Sequence, residues 1–218
     1  MRVNEIFFSI QGESKSAGLP TVFVRFTGCN LRCAYCDTTY SYFEGETKTP
    51  REVFAMIQSY PGKRVCLTGG EPLIQPREEM NQLLQMLSDG QYEVSIETDG
   101  SIDIRKFPLF DRQRFVLDMK VPSSGMSHKM HFANLEAIVP ERDEVKFVIG
   151  NRDDYEWSVS VIRQYQIMPE QGYQILFSPV FGAIDLKTLV EWLLEDQLDI
   201  RFQIQLHKIV WDPNQRGV

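Results

Sequence analysis

The sequence contains no uninterrupted apolar run long enough to cross a membrane as a helix, and Met1-Arg2-Val3-Asn4-Glu5 lacks the apolar core of a signal peptide. No membrane association and a cytoplasmic location are therefore expected. A basic surplus is also missing: 23 Lys and Arg stand against 30 Asp and Glu, a net charge of −7. That balance excludes a nucleic-acid partner held by bulk electrostatics. Internal repeats, low-complexity tracts and long linkers are absent. Cysteine is scarce, four in 218 residues, and three of the four fall within eight positions. Such crowding argues against a disulfide framework and for metal or redox chemistry.

What is present suits one soluble globular domain over residues 1–218. The chain is 43% hydrophobic and 24% charged, enough apolar material for a core without cross-links. Short β-rich segments alternate with amphipathic ones. Strands are expected over Glu5–Ser9, Thr21–Phe26, Arg64–Leu67, Glu93–Glu97, Phe115–Met119, Val145–Ile149, Tyr173–Phe177 and Arg201–Leu206. Helices are expected from Pro50 to Ser59 with Val53, Phe54, Met56 and Ile57 on the apolar side, from Pro76 to Ser88, and from Asp153 to Gln164. A further helix, capped by Asp185, carries Leu189, Trp192 and Leu193. Ser123–Ser127 reads as a mobile loop. Strands separated by helical patterns give an α/β fold with a mostly parallel sheet, in which ligands sit beyond the carboxyl ends of strands. The unusual stretches all follow strands, among them Gly28-Cys29, Thr68-Gly69-Gly70-Glu71-Pro72, Glu97-Thr98-Asp99-Gly100, Asp118-Met119-Lys120 and Ser178-Pro179.

Cys29, Cys33 and Cys36 have the spacing C-x₃-C-x₂-C, which random placement of four cysteines yields with a probability of about 5 × 10⁻⁴. Thiolates suit an iron–sulfur cluster or zinc. Closed zinc sites and electron-carrier clusters usually take four protein ligands, and no fourth Cys or His lies near Cys36. The remaining Cys66 sits in an apolar strand and reads as a small buried hydrophobe. Three sulfurs on a 4Fe–4S cluster leave one iron open to the amino and carboxylate groups of S-adenosylmethionine (SAM). Zinc and a non-enzymatic electron carrier remain alternatives at this point.

The C-x₃-C-x₂-C spacing, with Thr68-Gly69-Gly70-Glu71-Pro72 resembling a GGEP motif, is similar to the radical SAM superfamily. Ser9-Ile10-Gln11-Gly12-Glu13-Ser14, Phe23-Val24-Arg25-Phe26-Thr27-Gly28-Cys29 and Cys36-Asp37-Thr38 narrow the resemblance to the 7-carboxy-7-deazaguanine synthase (QueE) family, and it extends along nearly the whole chain. The resemblance implies a reduced or partial (β/α) barrel and a homodimer. It also implies conversion of 6-carboxy-5,6,7,8-tetrahydropterin to 7-carboxy-7-deazaguanine and ammonia, with a 4Fe–4S cluster, SAM and Mg2+, in the queuosine and 7-deazapurine pathway. The electron donor is expected to be a flavodoxin or ferredoxin. A glycyl-radical-enzyme activase shares the cysteine spacing and GGEP and is the rival enzyme.

Residue by residue, the resemblance implies pterin contacts at Ile10, Gln11, Gly12, Arg25 and Thr68, with Pro213 at the place of a C-terminal contact. A guanidinium suits the substrate carboxylate. Glu13 either binds the 2-amino edge of the pterin or braces its loop. Thr38 matches the magnesium ligand. SAM is implied at Tyr35, Cys36 and Asp37, at Gly70, at Asp118, Met119 and Lys120, and at Ser178, Pro179, Val180 and Phe181. Glu97, at a strand end, either binds SAM or caps a loop. His207 and Lys208 either polarise substrate or are structural.

Overall fold

The computed structural model describes residues 1–218 and consists of one nine-stranded sheet with helices on one face. The strands are β1 (Arg2–Ile10), β2 (Pro20–Phe26), β3 (Glu46–Thr47), β4 (Arg64–Gly69), β5 (Glu93–Thr98), β6 (Gln113–Met119), β7 (Glu144–Ile149), β8 (Gln174–Pro179) and β9 (Arg201–Phe202). Their order is β3-β1-β2-β4-β5-β6-β7-β8-β9. From β2 to β9 every pairing is parallel, while β1 runs antiparallel to both β2 and β3. The two ends of the sheet do not pair, so the barrel is partial, as the resemblance implies.

Helices α1 (Pro50–Gln58), α2 (Arg77–Asp89), α3 (Arg152–Gln164) and α4 (Leu186–Glu195) carry the crossovers, and the short α5 (His207–Val210) follows β9. The N-terminus of α1 is a capping box, with Thr49 and Glu52 each satisfying the other's backbone N–H. Asp185 caps α4 through the Thr188 N–H at 3.0 Å. Leu83, Leu84 and Leu87 of α2 are fully buried. Met56 is the exception to the expected apolar face, being exposed at the edge of α1.

Strand parity divides the sheet. Val24, Phe26, Leu67, Ile96, Leu117, Phe147 and Phe177 point toward the helices and are fully buried there. Burying one such side chain contributes about 1.5–3 kcal/mol. The alternate residues, including Arg25, Thr68, Glu97, Asp118 and Lys146, line the concave face. Register sets them side by side: Arg25 opposite Thr68, and Asp118 opposite Lys146.

The β5–β6 and β6–β7 crossovers, over which no helix is expected, contain only short 3₁₀ turns. Elsewhere the structure departs from the expected elements. The last strand stops at Phe202 instead of Leu206. There the chain peels off because the Gln203 side chain bonds Ser178 Oγ at 2.9 Å and accepts from the Ser14 N–H at 2.8 Å. Leu206 N then donates to Gly12 O at 3.0 Å. Ser123–Ser127 is held rather than loose: Ser123 N donates to Asp154 Oδ1 at 2.9 Å, and Ser124 O accepts from the Ala34 N–H at 3.0 Å.

Candidate active site

A cavity of about 740 Å³ opens at the carboxyl ends of the parallel strands. The loop leaving β2 forms one wall and brings Cys29, Cys33 and Cys36 to it. Leu31 is buried in the core and pins that loop from beneath. Arg32 closes its outside, donating to Cys29 O at 2.8 Å and lying 4.2 Å from the Tyr42 ring centroid. Burial, offset in part by the Leu31 N–H and reinforced by Asp99, pushes the Cys29 thiol up to about 11. Burial also raises Cys33. Thiolates there need cationic partners, which metal ligation supplies. The three sulfurs share one cavity wall, and three soft thiolates there fit the donor set of an iron–sulfur cluster.

The GGEP segment packs directly on this loop. A Cβ at Gly70 would lie 1.8 Å from Gly28 O, so only glycine permits the approach. Glu71 N donates to the same carbonyl at 2.8 Å. The Glu71 carboxylate is fully buried and accepts from Leu73 N (2.9 Å), Thr98 Oγ1 (2.9 Å) and Asp99 N (2.6 Å). One side chain thus ties the end of β4 to the end of β5, beside the cysteine loop.

The floor is polar. Glu97 accepts from Gln11 Nε2 at 3.1 Å and from Thr68 Oγ1 at 2.9 Å. Arg25 Nε donates to Glu5 Oε1 at 2.7 Å, and Tyr40 OH donates to the same oxygen at 3.1 Å. The Arg25 guanidinium lies 5.8 Å from the centroids of both Phe7 and Tyr40. Gly12 lies so close to His207 that a Cβ would meet Nδ1 at 2.2 Å. Lys208 pairs with Asp37, whose carboxyl it holds down to about 2 against the cost of burial. Thr38 Oγ1 donates to Asp37 Oδ1 at 2.8 Å.

Of the residues expected at the site, Ile10, Gln11, Gly12, Glu13, Arg25, Tyr35, Asp37, Thr38 and Thr68 all border the cavity with the three cysteines. Gly70, Glu97, Asp118, Lys120, Val180, Phe181 and Pro213 do so too. Three do not. Met119 is fully buried in the helix-side core, because its neighbours Asp118 and Lys120 take the inward positions. Ser178 is buried beneath the wall against Gln203, and Pro179 is buried beside it. Glu97 bonds Gln11 and Thr68 on the cavity floor.

The sequence model of the Radical SAM superfamily matches residues 23–166. The chain is 40% identical to the 7-carboxy-7-deazaguanine synthase of Koribacter versatilis, with all of both chains covered. It is also 40% identical to the synthase of Chlorobaculum tepidum, covering 100% of this chain and 97% of that one. The chain belongs to the 7-carboxy-7-deazaguanine synthase family. The fold agrees with the crystal structure of QueE from Escherichia coli, at 21% identity, 94% coverage of each chain and a TM-score of 0.77. More distantly, it resembles Streptococcus suis SuiB bound to S-adenosylmethionine, with a TM-score of 0.58 over 84% of this chain and 51% of that one at 11% identity. A synthase of this family, within the radical SAM superfamily, uses a 4Fe–4S cluster and SAM. Full-length identity to named synthases decides against the activase and the electron carrier.

Sequence reasoning missed one charged element of this synthase-family site. Lys146 Nζ lies 2.8 Å from Glu13 Oε2 and 3.3 Å from Asp118 Oδ2, and Lys120 Nζ lies 2.9 Å from the same Asp118 oxygen. Burial alone would raise Asp118, but Lys120 and Lys146 hold it below the usual carboxylate range. The signal was a lone lysine inside the otherwise apolar Val145-Lys146-Phe147-Val148-Ile149. No helix is long and apolar enough to cross a membrane.

Proposed function

We propose that this chain converts 6-carboxy-5,6,7,8-tetrahydropterin to 7-carboxy-7-deazaguanine and ammonia, by a radical ring contraction in queuosine and 7-deazapurine biosynthesis. The observation that carries the reading is a single cavity walled by three cysteines and GGEP and floored by Gln11, Arg25 and Thr68. In this reading Cys29, Cys33 and Cys36 hold the cluster. SAM lies along Tyr35, Cys36, Asp37, Gly70, Asp118, Lys120, Val180 and Phe181. When bound, the cluster and SAM would supply one-electron reduction and hydrogen-atom abstraction in the cavity that these residues line.

The chain's own residues bind, orient and shield. Arg25 keeps its terminal nitrogens for the substrate carboxylate while Glu5 takes Nε, a division of donors that fixes the guanidinium plane. Gln11 has its amide nitrogen committed to Glu97 and its oxygen accepting from the Glu13 N–H at 3.3 Å, which leaves that oxygen's second lone pair for the substrate side. Gly12 and Ile10 present backbone groups to the ring edge. Thr38 would contribute one hydroxyl oxygen to Mg2+, leaving the rest of the octahedral oxygen shell that magnesium prefers to substrate and water. Residues of the 205–218 segment, including Pro213, line the cavity and would help limit water in it.

A homodimer, reduction by a flavodoxin or ferredoxin, and a cytoplasmic location complete the reading and are supported by the family resemblance. The test of the cofactor geometry is a SAM titration of the reduced holoprotein followed by EPR. SAM bound at an open iron changes the cluster's signal at stoichiometric addition. An unchanged spectrum refutes an open iron.

A further inference from the structure

Glu13 and Asp118 each keep one oxygen, Oε1 and Oδ1, buried and without a hydrogen-bond partner at the cavity wall. Their other oxygens share the Lys146 ammonium, at 2.8 Å and 3.3 Å. The Lys146 and Glu13 side chains are only 9% and 10% exposed. Leaving a buried carboxylate oxygen unpaired is costly, so a ligand donor is the expected partner of Glu13 Oε1.

The direction of that oxygen is fixed from both ends. Lys146 stands on β7, in register with Asp118 on β6. Asp118 and Glu13 together keep the ammonium charged although burial opposes it. The Glu13 backbone N–H donates to Gln11 Oε1 at 3.3 Å, and Gln11 is in turn held by Glu97. Across the cavity, Arg25 offers a cation for a carboxylate. A ligand that meets Arg25 with an acid group and Glu13 with ring N–H groups has the chemistry of a 2-amino-4-oxopyrimidine fused to a carboxylated ring.

We propose that Lys146 is a positioning residue, holding Glu13 as the ionised acceptor for the 2-amino edge of the pterin and so selecting 2-amino over 2-oxo rings. This rests on the pterin reading above. Removing the ammonium leaves Glu13 buried without a counter-charge. The carboxylate then loses the contact that aims Oε1 into the cavity, and with it the preference for a 2-amino edge.

The test is equilibrium dialysis of reconstituted, SAM-loaded holoprotein against two air-stable probes, 6-carboxypterin and 6-carboxylumazine, which differ at position 2. Wild type is expected to prefer the pterin by at least about tenfold, the worth of one hydrogen bond to a charged group. Lys146→Met is expected to bring the ratio near unity. Glu13→Gln and the double variant Glu13→Gln/Lys146→Met should show the same collapsed ratio as Lys146→Met, because both residues act through one contact. The double variant buries no lone charge and covers the case in which Lys146→Met fails to fold. A Lys146→Met protein that keeps the wild-type ratio overturns the inference, as does a double variant whose ratio matches wild type. Wild type that binds neither probe overturns the pterin reading itself, and the inference with it.

Discussion

Alanine at position 70 tests how the GGEP segment and the cysteine loop are joined. The added methyl would lie 1.8 Å from Gly28 O and 2.5 Å from Gly28 C, both backbone atoms. Neither can swing aside, so the two loops must separate by more than about 1 Å to restore ordinary contact. That shift breaks the Glu71 N–H bond to Gly28 O, 2.8 Å long, and strains the Gly70 N–H bond to Phe26 O, 3.1 Å long. Overpacking plus a lost buried hydrogen bond predicts a loss of about 2–4 kcal/mol. Gly12→Ala is the matched control, because its methyl meets His207 Nδ1 at 2.2 Å, the end of a side chain that can rotate. Its expected cost is under about 1 kcal/mol. Urea unfolding of the cluster-free proteins measures both. Turnover should fall by about a hundredfold in Gly70→Ala, the usual effect of a 1 Å misplacement in a reacting geometry. A Gly70→Ala protein as stable as wild type would refute the close packing of the two loops.

Four further outcomes are expected. Cys33→Ala should lose the iron–sulfur absorbance and deoxyadenosine formation together; full activity in this variant would remove the cluster assignment. Thr38→Ala should assemble a normal cluster yet lose much of its stimulation by magnesium, read from rates across a magnesium titration. Glu71→Gln keeps the shape but turns an acceptor into a donor against Leu73 N, Thr98 Oγ1 or Asp99 N, and should cost about 1–3 kcal/mol in urea unfolding. Asp118 has its pKa depressed in the fold, so its contribution is complete above the ordinary carboxylate value, about 4, and fades as pH falls below it. The stability gap between wild type and Asp118→Asn should therefore be widest near neutral pH and close in acid; a gap that widens in acid contradicts the pairing with Lys120 and Lys146.

The parts of the site legible in the sequence are those carried by short contiguous stretches. The cysteine loop, GGEP and Gln11-Gly12 each encode their geometry within a few residues, and each borders the cavity. What failed was the treatment of Asp118-Met119-Lys120 and Ser178-Pro179 as continuous binding stretches. A strand sends alternate residues to opposite faces, so Asp118 and Lys120 reach the cavity while Met119 joins the core. Lys146 was invisible for a different reason. Its partners Glu13 and Asp118 are distant in sequence: strand register brings Asp118 within reach, and the loop after β1 brings Glu13. The shortened β9 likewise depends on Gln203 finding Ser14 and Ser178, contacts no local pattern encodes.

Reconstituted, chemically reduced protein incubated anaerobically with SAM, magnesium and 6-carboxy-5,6,7,8-tetrahydropterin, and no partner protein, tests the central claim most directly. Mass spectrometry should find 7-carboxy-7-deazaguanine formed over several turnovers per protein, with SAM regenerated. Cleavage of SAM to deoxyadenosine while the pterin stays unconverted would contradict it.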